Sequence, residues 1–545
     1  MLNNGVGRRS CAIIFRRRQQ MAKREEDYSI DKARQMRTSR TADNMNTFER
    51  EQSINTDVST MNTPALFSKT LDHDSNTLLP SEANVVKLAL AMERGTRKDL
   101  ENVQLSPNAT RKLANPLGAF ICEVMGCDSY GFTMPAPPTL DSVAGAGEMV
   151  EVYEQNIQRD ISFDELNFGG ANTAADRAVT NLNAFGAEYK GPVNAVSGAL
   201  TRAELFRGVA PGCLTGPYVS QFLLHDFALG AHTITQKYNV HTGIYGITSA
   251  NFKAIADGGI PVAQNANEAT AQYIWNGKGL GTLVHGDFVY QQFYYAAAML
   301  AHGGTRHTAY SDNDPSNSGA FLTNGGPAFV APAVAAVSSH ALSAAWVHKW
   351  RHHCKLRPET MAARVVTGIS GATTQYHASE LTTNAQSTLD AVKAFNVANG
   401  GDNSEFLPLL YAEGSPTHPA YPAGHAVIAG ANATILKLVY ADTNWSTMGN
   451  YNTVQHSTDG NSLVSYSRPD SGDVTVHGEL NKLAANMAIG RNIAGVHYRA
   501  DGDCGMMLGQ KVAIAYFEDY LSRLIEPTGD ITITGFDGVD VTISV

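Results

Sequence analysis

Three short runs of this 545-residue chain gather cations, histidines and a glycine at spacings that suit the capture of an oxyanion. The first holds Lys349 and Arg357-Pro358-Glu359, the second Pro422-Ala423-Gly424-His425, and the third Arg491, His497 and Asp501. Together they offer three cations, a backbone N–H that glycine leaves uncovered and two histidines, about what a tetrahedral oxyanion needs. Each run also has a plainer use. Lys349 and Arg357 complement the dipole at a helix end, the second run caps a helix, and Arg491 with His497 satisfies the last carbonyls of another.

The surrounding elements decide whether these groups converge. Residues 341–355 read as a helix on which Trp346, Lys349, Trp350 and His353 recur at i, i+3, i+4 and i+7 and share a face. Pro358 disfavours helical geometry at Arg357, so Lys349 projects from the helix and Arg357 from where it ends. The stretch His418 to His425 is a loop stiffened by Pro419 and Pro422 that leads into a helix over 426–440. Free N–H groups at a helix start bind anions, and Gly424 permits close approach. His425 at that position can donate to an oxyanion or exchange a proton with it. Arg491 and His497 are separated by about 240° on an ideal helix, so one uninterrupted helix cannot aim both at one ligand. Gly495 offers the break, after which His497 acts from a loop and Asp501 orients a ring or guanidinium from behind.

Apolar periodicity over 331–345, 483–494 and 509–524 adds further helices. Strand alternation is confined to 530–534 and 539–543 around Gly535-Phe536-Asp537-Gly538, a terminal hairpin. The expected fold class is mainly α, a helical-bundle core with long connections over 303–328 and 441–475. The expected organisation is a basic, extended or partly disordered arm over 1–60 and a single large α-helical domain over 61–545, with the site in 341–505.

With 43% apolar residues the chain can bury a large core, and its 17% charged content is below the roughly 25% of ordinary globular proteins. That is not the composition of a nucleic-acid binder. The net charge of −10 is uneven: residues 1–60 hold 12 Lys/Arg against 8 Asp/Glu, leaving the body at net −14. The apolar run between Arg8-Arg9 and Arg16-Arg17-Arg18 is shorter than the ~7–15 residues of a signal-peptide core. No stretch is expected to reach the ~20 apolar residues of a membrane helix, so a soluble protein, cytoplasmic by default, is expected. Cys11, Cys122, Cys127, Cys213, Cys354 and Cys504 are too sparse for a disulfide framework, and buried free thiols are the expectation.

The three runs resemble the signature of the vanadium-dependent haloperoxidases, whose active-site framework is shared with acid phosphatases. The algal and cyanobacterial bromoperoxidase branch is the more similar. Its features here are the eight-residue spacing from Lys349 to Arg357, Gly414-Ser415-Pro416-Thr417-His418-Pro419 ahead of Pro422-Ala423-Gly424-His425, and Tyr498-Arg499-Ala500-Asp501-Gly502 after His497. Leu200-Thr201-Arg202, Phe206-Arg207-Gly208 and Gly216-Pro217-Tyr218-Val219-Ser220-Gln221-Phe222 extend the likeness over roughly 60–545. The resemblance implies two four-helix bundles and a vanadate cofactor whose axial ligand is His497. It implies that Lys349, Arg357, Arg491 and the Gly424 N–H neutralise the vanadate oxygens and that His425 is the acid/base. It implies a halide pocket of Trp346, His348 and His418, and hydrogen peroxide, bromide or iodide and an organic acceptor as reactants. Large homo-oligomers, up to dodecamers, follow from the same likeness. So does a structural divalent cation such as calcium, for which Ser311-Asp312-Asn313-Asp314 offers oxygen ligands, though a polar surface loop explains that stretch equally well.

One departure stands out: the family commonly has Ser where this chain has Ala423. Losing a hydrogen bond to a charged group, about 1.5–3 kcal/mol, weakens anion binding roughly tenfold or more unless another donor fills the space. Two other readings use the same cage. One is an acid phosphatase with His497 as nucleophile, and the other is a non-catalytic oxyanion-binding protein.

Overall fold

The computed structural model describes residues 53–544 apart from 122–127, 265–266, 312–316, 374–375, 377, 450 and 525–528. Eight helices build its core. They are α1 (Val143–Ile157), α2 (Thr173–Asn183), α3 (Pro327–Val347), α4 (Pro358–Ile369), α5 (Gln386–Ala398), α6 (Gly424–Val439), α7 (Val476–Ile493) and α8 (Arg499–Leu521). They form two bundles: α3, α6, α7 and α8 pack on one another, while α2, α4 and α5 pack around α1.

In the first bundle α6 is central, buried along its length except at His425. Its approach to α8 depends on glycine. A Cβ at Gly430 would lie 2.2 Å from the Met506 carbonyl oxygen and one at Gly509 2.0 Å from that of Val427, so the backbones touch where side chains would hold them apart. α3 begins with Pro327 at its first turn, where no N–H is needed. A charged seam runs along α1, reaching the first bundle through Arg499 on α8. Glu148, Glu151 and Glu154 are buried one helical turn apart and pair with Lys355 (3.1 Å), Arg499 (2.7 Å) and Arg177 (2.7 Å). Buried carboxylates persist only when matched in this way.

The expected α class and the C-terminal hairpin are both present, the latter pairing Ile531–Thr534 with Asp540–Ile543. Two further strand pairs sit in the connections, Phe227–Leu229 with His232–Ile234 and Val454–His456 with Leu463–Ser465. The body reaches further toward the amino terminus than the expected arm boundary. Asn55 caps a short helix Thr56–Ser59, and buried Asp57 accepts a hydrogen bond from the Leu140 N–H at 2.7 Å. Residues 1–52, with the arginine clusters, lie outside the described residues. Contrary to expectation, one 27-residue helical stretch, Pro327–His353, is long and apolar enough to cross a membrane by length and composition; half of its apolar window is buried within the protein. Cys213, Cys354 and Cys504 are free thiols, and burial pushes Cys354 up to about 12, which argues against a reactive thiolate. Cys11, Cys122 and Cys127 lie outside the described residues.

Candidate active site

Lys349 reaches the site through an irregularity. α3 passes into a π turn, His348–His353, in which the Cys354 N–H bonds to the Lys349 carbonyl five residues back, and Cys354 ends the helix at φ 42°. Widening the turn separates the residues expected on one face. Trp350 packs on Phe67 (ring centroids 5.5 Å apart), His353 on Tyr421 (4.9 Å) and Trp346 on His418 (4.8 Å). Lys349 alone turns inward, fully buried, its Nζ donating to the carbonyls of Pro419 (2.7 Å) and Ala420 (2.9 Å).

Arg357 is the N-cap of α4, held extended at ψ 156° ahead of Pro358. Its guanidinium donates to the carbonyls of His418 (2.9 Å) and Val496 (2.7 Å), to His418 Nδ1 (3.0 Å) and to His497 Nε2 (2.9 Å). The third run breaks as expected. α7 ends at Ile493, Gly495 adopts φ 83°, and the Val496 N–H closes the turn on the Arg491 carbonyl at 3.1 Å. Arg491 thus leaves the last helical turn, donates to the Val284 carbonyl and lies over the Tyr411 ring, 5.4 Å from its centroid.

His497 has a determined tautomer. Arginine can only donate, so Nε2 carries the lone pair that receives Arg357, while Nδ1–H donates to Asp501 Oδ2 at 2.8 Å. Asp501 also accepts the Tyr498 N–H (3.2 Å) and lies 3.8 Å from Lys355. The second run supplies the mouth of the site. Ala423 caps α6 and its N–H bonds to the Asp501 carbonyl (2.8 Å), leaving the N–H groups of Gly424 and the rest of the first turn free of intrahelical partners. His425, in that first turn, bonds through Nε2 to Asp287 Oδ1 at 2.9 Å.

Charge makes the arrangement costly without a ligand. Among the described residues none of Lys349, Arg357 and Arg491 forms an ion pair with a carboxylate, and Lys349 and Arg357 are 0% and 1% exposed. Burial, then the neighbouring Arg357 and Arg491, push Lys349 well below its ordinary value; burial and Arg491 bring Arg357 down to about 9. Burial and the same cations hold His497 and His418 well below the usual imidazole range. The Arg491 Nε–H is buried without a hydrogen-bond partner. Burying such charges costs several kcal/mol each, and carbonyl dipoles offset it only in part. An oxyanion bound among them would supply the missing counter-charge and accept the orphaned donor, and a neutral His497 with its Nε2 lone pair in the cage is in the state a metal ligand requires.

Comparison with known proteins points the same way. Residues 329–526 match the model of the VCPO second helical-bundle domain, the stretch that holds every residue of the cage. The chain is 29% identical to a vanadium-dependent bromoperoxidase of Ascophyllum nodosum over 85% of its own length and 83% of that protein's. It is 28% identical to the vanadium-dependent bromoperoxidase of Corallina pilulifera over 88% of its own length and 91% of the relative's. The solved homohexameric structure of the second vanadate-dependent bromoperoxidase of Ascophyllum nodosum superposes with a TM-score of 0.82 at 27% identity, covering 93% of this chain and 89% of that one.

Residues 329–526 thus carry a VCPO second helical-bundle domain, and over most of its length the chain is similar to vanadium-dependent bromoperoxidases.

Within this chain the structure gathers Lys349, Arg357, His418, Gly424, His425, Arg491, His497 and Asp501, with Trp346 against His418. His348 is not brought to them, a correction to the expected halide pocket. Two residues beyond Trp346 it faces elsewhere: its Nε2 bonds to the Phe132 carbonyl (2.9 Å), its ring stacks on His353 (5.5 Å), and burial pushes it down to about 3. Ala423 is fully buried at the α6 start and brings no side-chain donor. The functional residue that the sequence did not reveal is Asp287. It stands 138 residues from its partner His425 in an irregular segment, where no local pattern marks it.

Proposed function

We propose that this chain is a vanadium-dependent bromoperoxidase. It oxidises bromide, and also iodide, with hydrogen peroxide, consuming one proton and releasing water and a hypohalous acid that halogenates an organic acceptor. The observation that carries this reading is the buried cluster of three unpaired cations around the lone pair of His497. In it Lys349, Arg357, Arg491 and the Gly424 N–H would hold the oxygens of vanadate, and His497 Nε2 would be the protein's ligand to the vanadium. Vanadate supplies a Lewis acid that activates peroxide without changing its own oxidation state. The chain's own groups do the rest. Lys349, Arg357 and Arg491 would offset the negative charge of the bound anion from positions already fixed by the fold. Burial, with Arg491, lowers His425 more than Asp287 raises it, which favours the neutral imidazole that can take up and return the proton that peroxide chemistry moves. His418 and Trp346 form the halide side, whose imidazole favours bromide and iodide over chloride.

The site lies within the single domain expected over 61–545, and the hexamer of the Ascophyllum relative supports a homo-oligomer here. For a structural calcium the support is the sequence alone: Asp312, Asn313 and Asp314 lie outside the described residues, among which no cluster of three His, Cys, Asp or Glu forms a metal site. The test is bromination of a phenolic indicator by purified protein, before and after chelator and phosphate strip it and after vanadate is restored. Activity that returns only with vanadate supports the proposal. Phosphatase activity in the stripped protein without bromination would replace it with phosphoryl transfer at His497.

A further inference from the structure

The loop after the helix Gly277–Leu283 grips the cage at two points. The Val284 carbonyl receives Arg491, and three residues later Asp287 receives His425. Val284 is anchored in the core, but the tip of the loop beyond it is open: a Cβ at Gly286 would meet nothing within 4 Å, and Phe288 is 75% exposed. Between the buried Val284 and the open tip, His285 ties the loop to the rest of the site. Its N–H bonds to the Thr282 carbonyl (3.1 Å), Nε2 bonds to Glu413 Oε1 (2.6 Å), and Nδ1 to His241 Nε2 (2.8 Å). Its ring lies flat on Tyr411, 3.8 Å between centroids and 6° between planes. Tyr411 in turn carries the Arg491 guanidinium on its ring and ties back to the Gly281 carbonyl at 2.6 Å. Glu413 is itself held in place, its carbonyl accepting from Lys69 Nζ (3.0 Å) and Arg111 Nη2 (2.6 Å).

We infer that His285, through its bond to Glu413 and its stack on Tyr411, is the positioning residue that sets Arg491 and His425 in the anion cage. Resting on the reading of that cage as the vanadate site, this makes the 284–287 segment a single support for one oxygen-binding cation and the acid/base. A stacked ring with both nitrogens engaged holds position and rotation together, which alanine cannot do. The halide side, built from Trp346 and His418, is held instead by the ring contact with Trp346 on α3 and by the bonds of Arg357 to the His418 ring and carbonyl.

The test uses vanadium-free protein, with vanadate and then phosphate as the binding probes. His285→Ala and Glu413→Ala should each weaken both anions about tenfold, as expected when a hydrogen bond to a charged group is lost. Reconstituted with excess vanadate, both should have a lowered kcat and a bromide KM within about twofold of wild type. His285→Gln, whose amide can still donate to Glu413, should recover most of the binding, a rescue that general loosening of the fold would not give. Wild-type affinity in folded His285→Ala and Glu413→Ala overturns the inference while leaving the cage intact, and so does a bromide KM that rises in step with the loss of anion affinity. Wild-type protein that binds neither anion refutes the cage and this support with it.

Discussion

Two histidine–carboxylate pairs belong to the site, and their difference bears on why one suits a ligand and the other an acid/base. His497 meets Asp501 through Nδ1 at 2.8 Å and His425 meets Asp287 through Nε2 at 2.9 Å. The lengths are alike and the settings are not. His497 is 2% exposed, and its remaining nitrogen is a lone pair fixed toward Arg357. His425 is 16% exposed on the first turn of α6, and its remaining Nδ1 is the atom left for proton exchange. The carboxylates differ as well. Burial raises Asp501 to about 6 against the pull of Lys355, whereas His425 and Arg491 together overcome the effect of burial and hold Asp287 below its usual value. Asp501 therefore locks a ring in place, and Asp287 stays charged beside a ring that must gain and lose a proton.

Removing the exchange side alone should have the largest effect that leaves the cofactor in place. For His425→Ala we expect kcat to fall by about 10²–10⁴, the usual contribution of a positioned acid/base, with vanadate affinity within a few-fold of wild type. Steady-state kinetics beside equilibrium dialysis checks both halves, and equal loss of both would erase the distinction between the two histidines. Asp287→Asn is the finer cut. The carboxylate raises His425 toward its ordinary range, so replacing it by a neutral amide should move the His425 inflection of the pH–rate profile to lower pH, with kcat down roughly tenfold. A shift to higher pH would contradict the assigned partner.

The remaining two substitutions test what lies between the pairs. Ala423→Ser restores a hydroxyl at the α6 cap and should tighten vanadate binding by up to about tenfold, read by titration of vanadium-free protein. Unchanged affinity would mean that the oxygens are already saturated by Lys349, Arg357, Arg491 and the backbone. The smallest effect on binding is expected from His418→Ala, which should change the iodide-to-bromide ratio of kcat/KM while leaving the vanadate dissociation constant within about threefold. An unchanged halide ratio would remove His418 and its contact with Trp346 from the halide side.

The same contrast marks what could be read from the chain. Asp501 was legible because it lies four residues from His497, at the start of a helix that Gly495 makes possible, so local geometry fixes both. Asp287 was not, because only the packing of the Gly277–Leu283 helix against α7 brings it to His425, and no local period encodes such a contact. The central helices and the terminal hairpin followed from apolar period. The π turn at His348–His353 did not: five-residue bonding leaves no mark in an apolar pattern, yet it turns Lys349 inward and sends His348 away from Trp346.

The central claim is that vanadate is held from the His497 side and worked on from the His425 side. The measurement that tests it most directly is vanadate binding by wild type, His497→Ala and His425→Ala, each stripped of vanadium and titrated to saturation. One vanadate per chain in wild type and His425→Ala, with affinity lost by at least about 100-fold in His497→Ala, is the predicted result. Retention of tight binding by His497→Ala, with its loss in His425→Ala, would contradict the account.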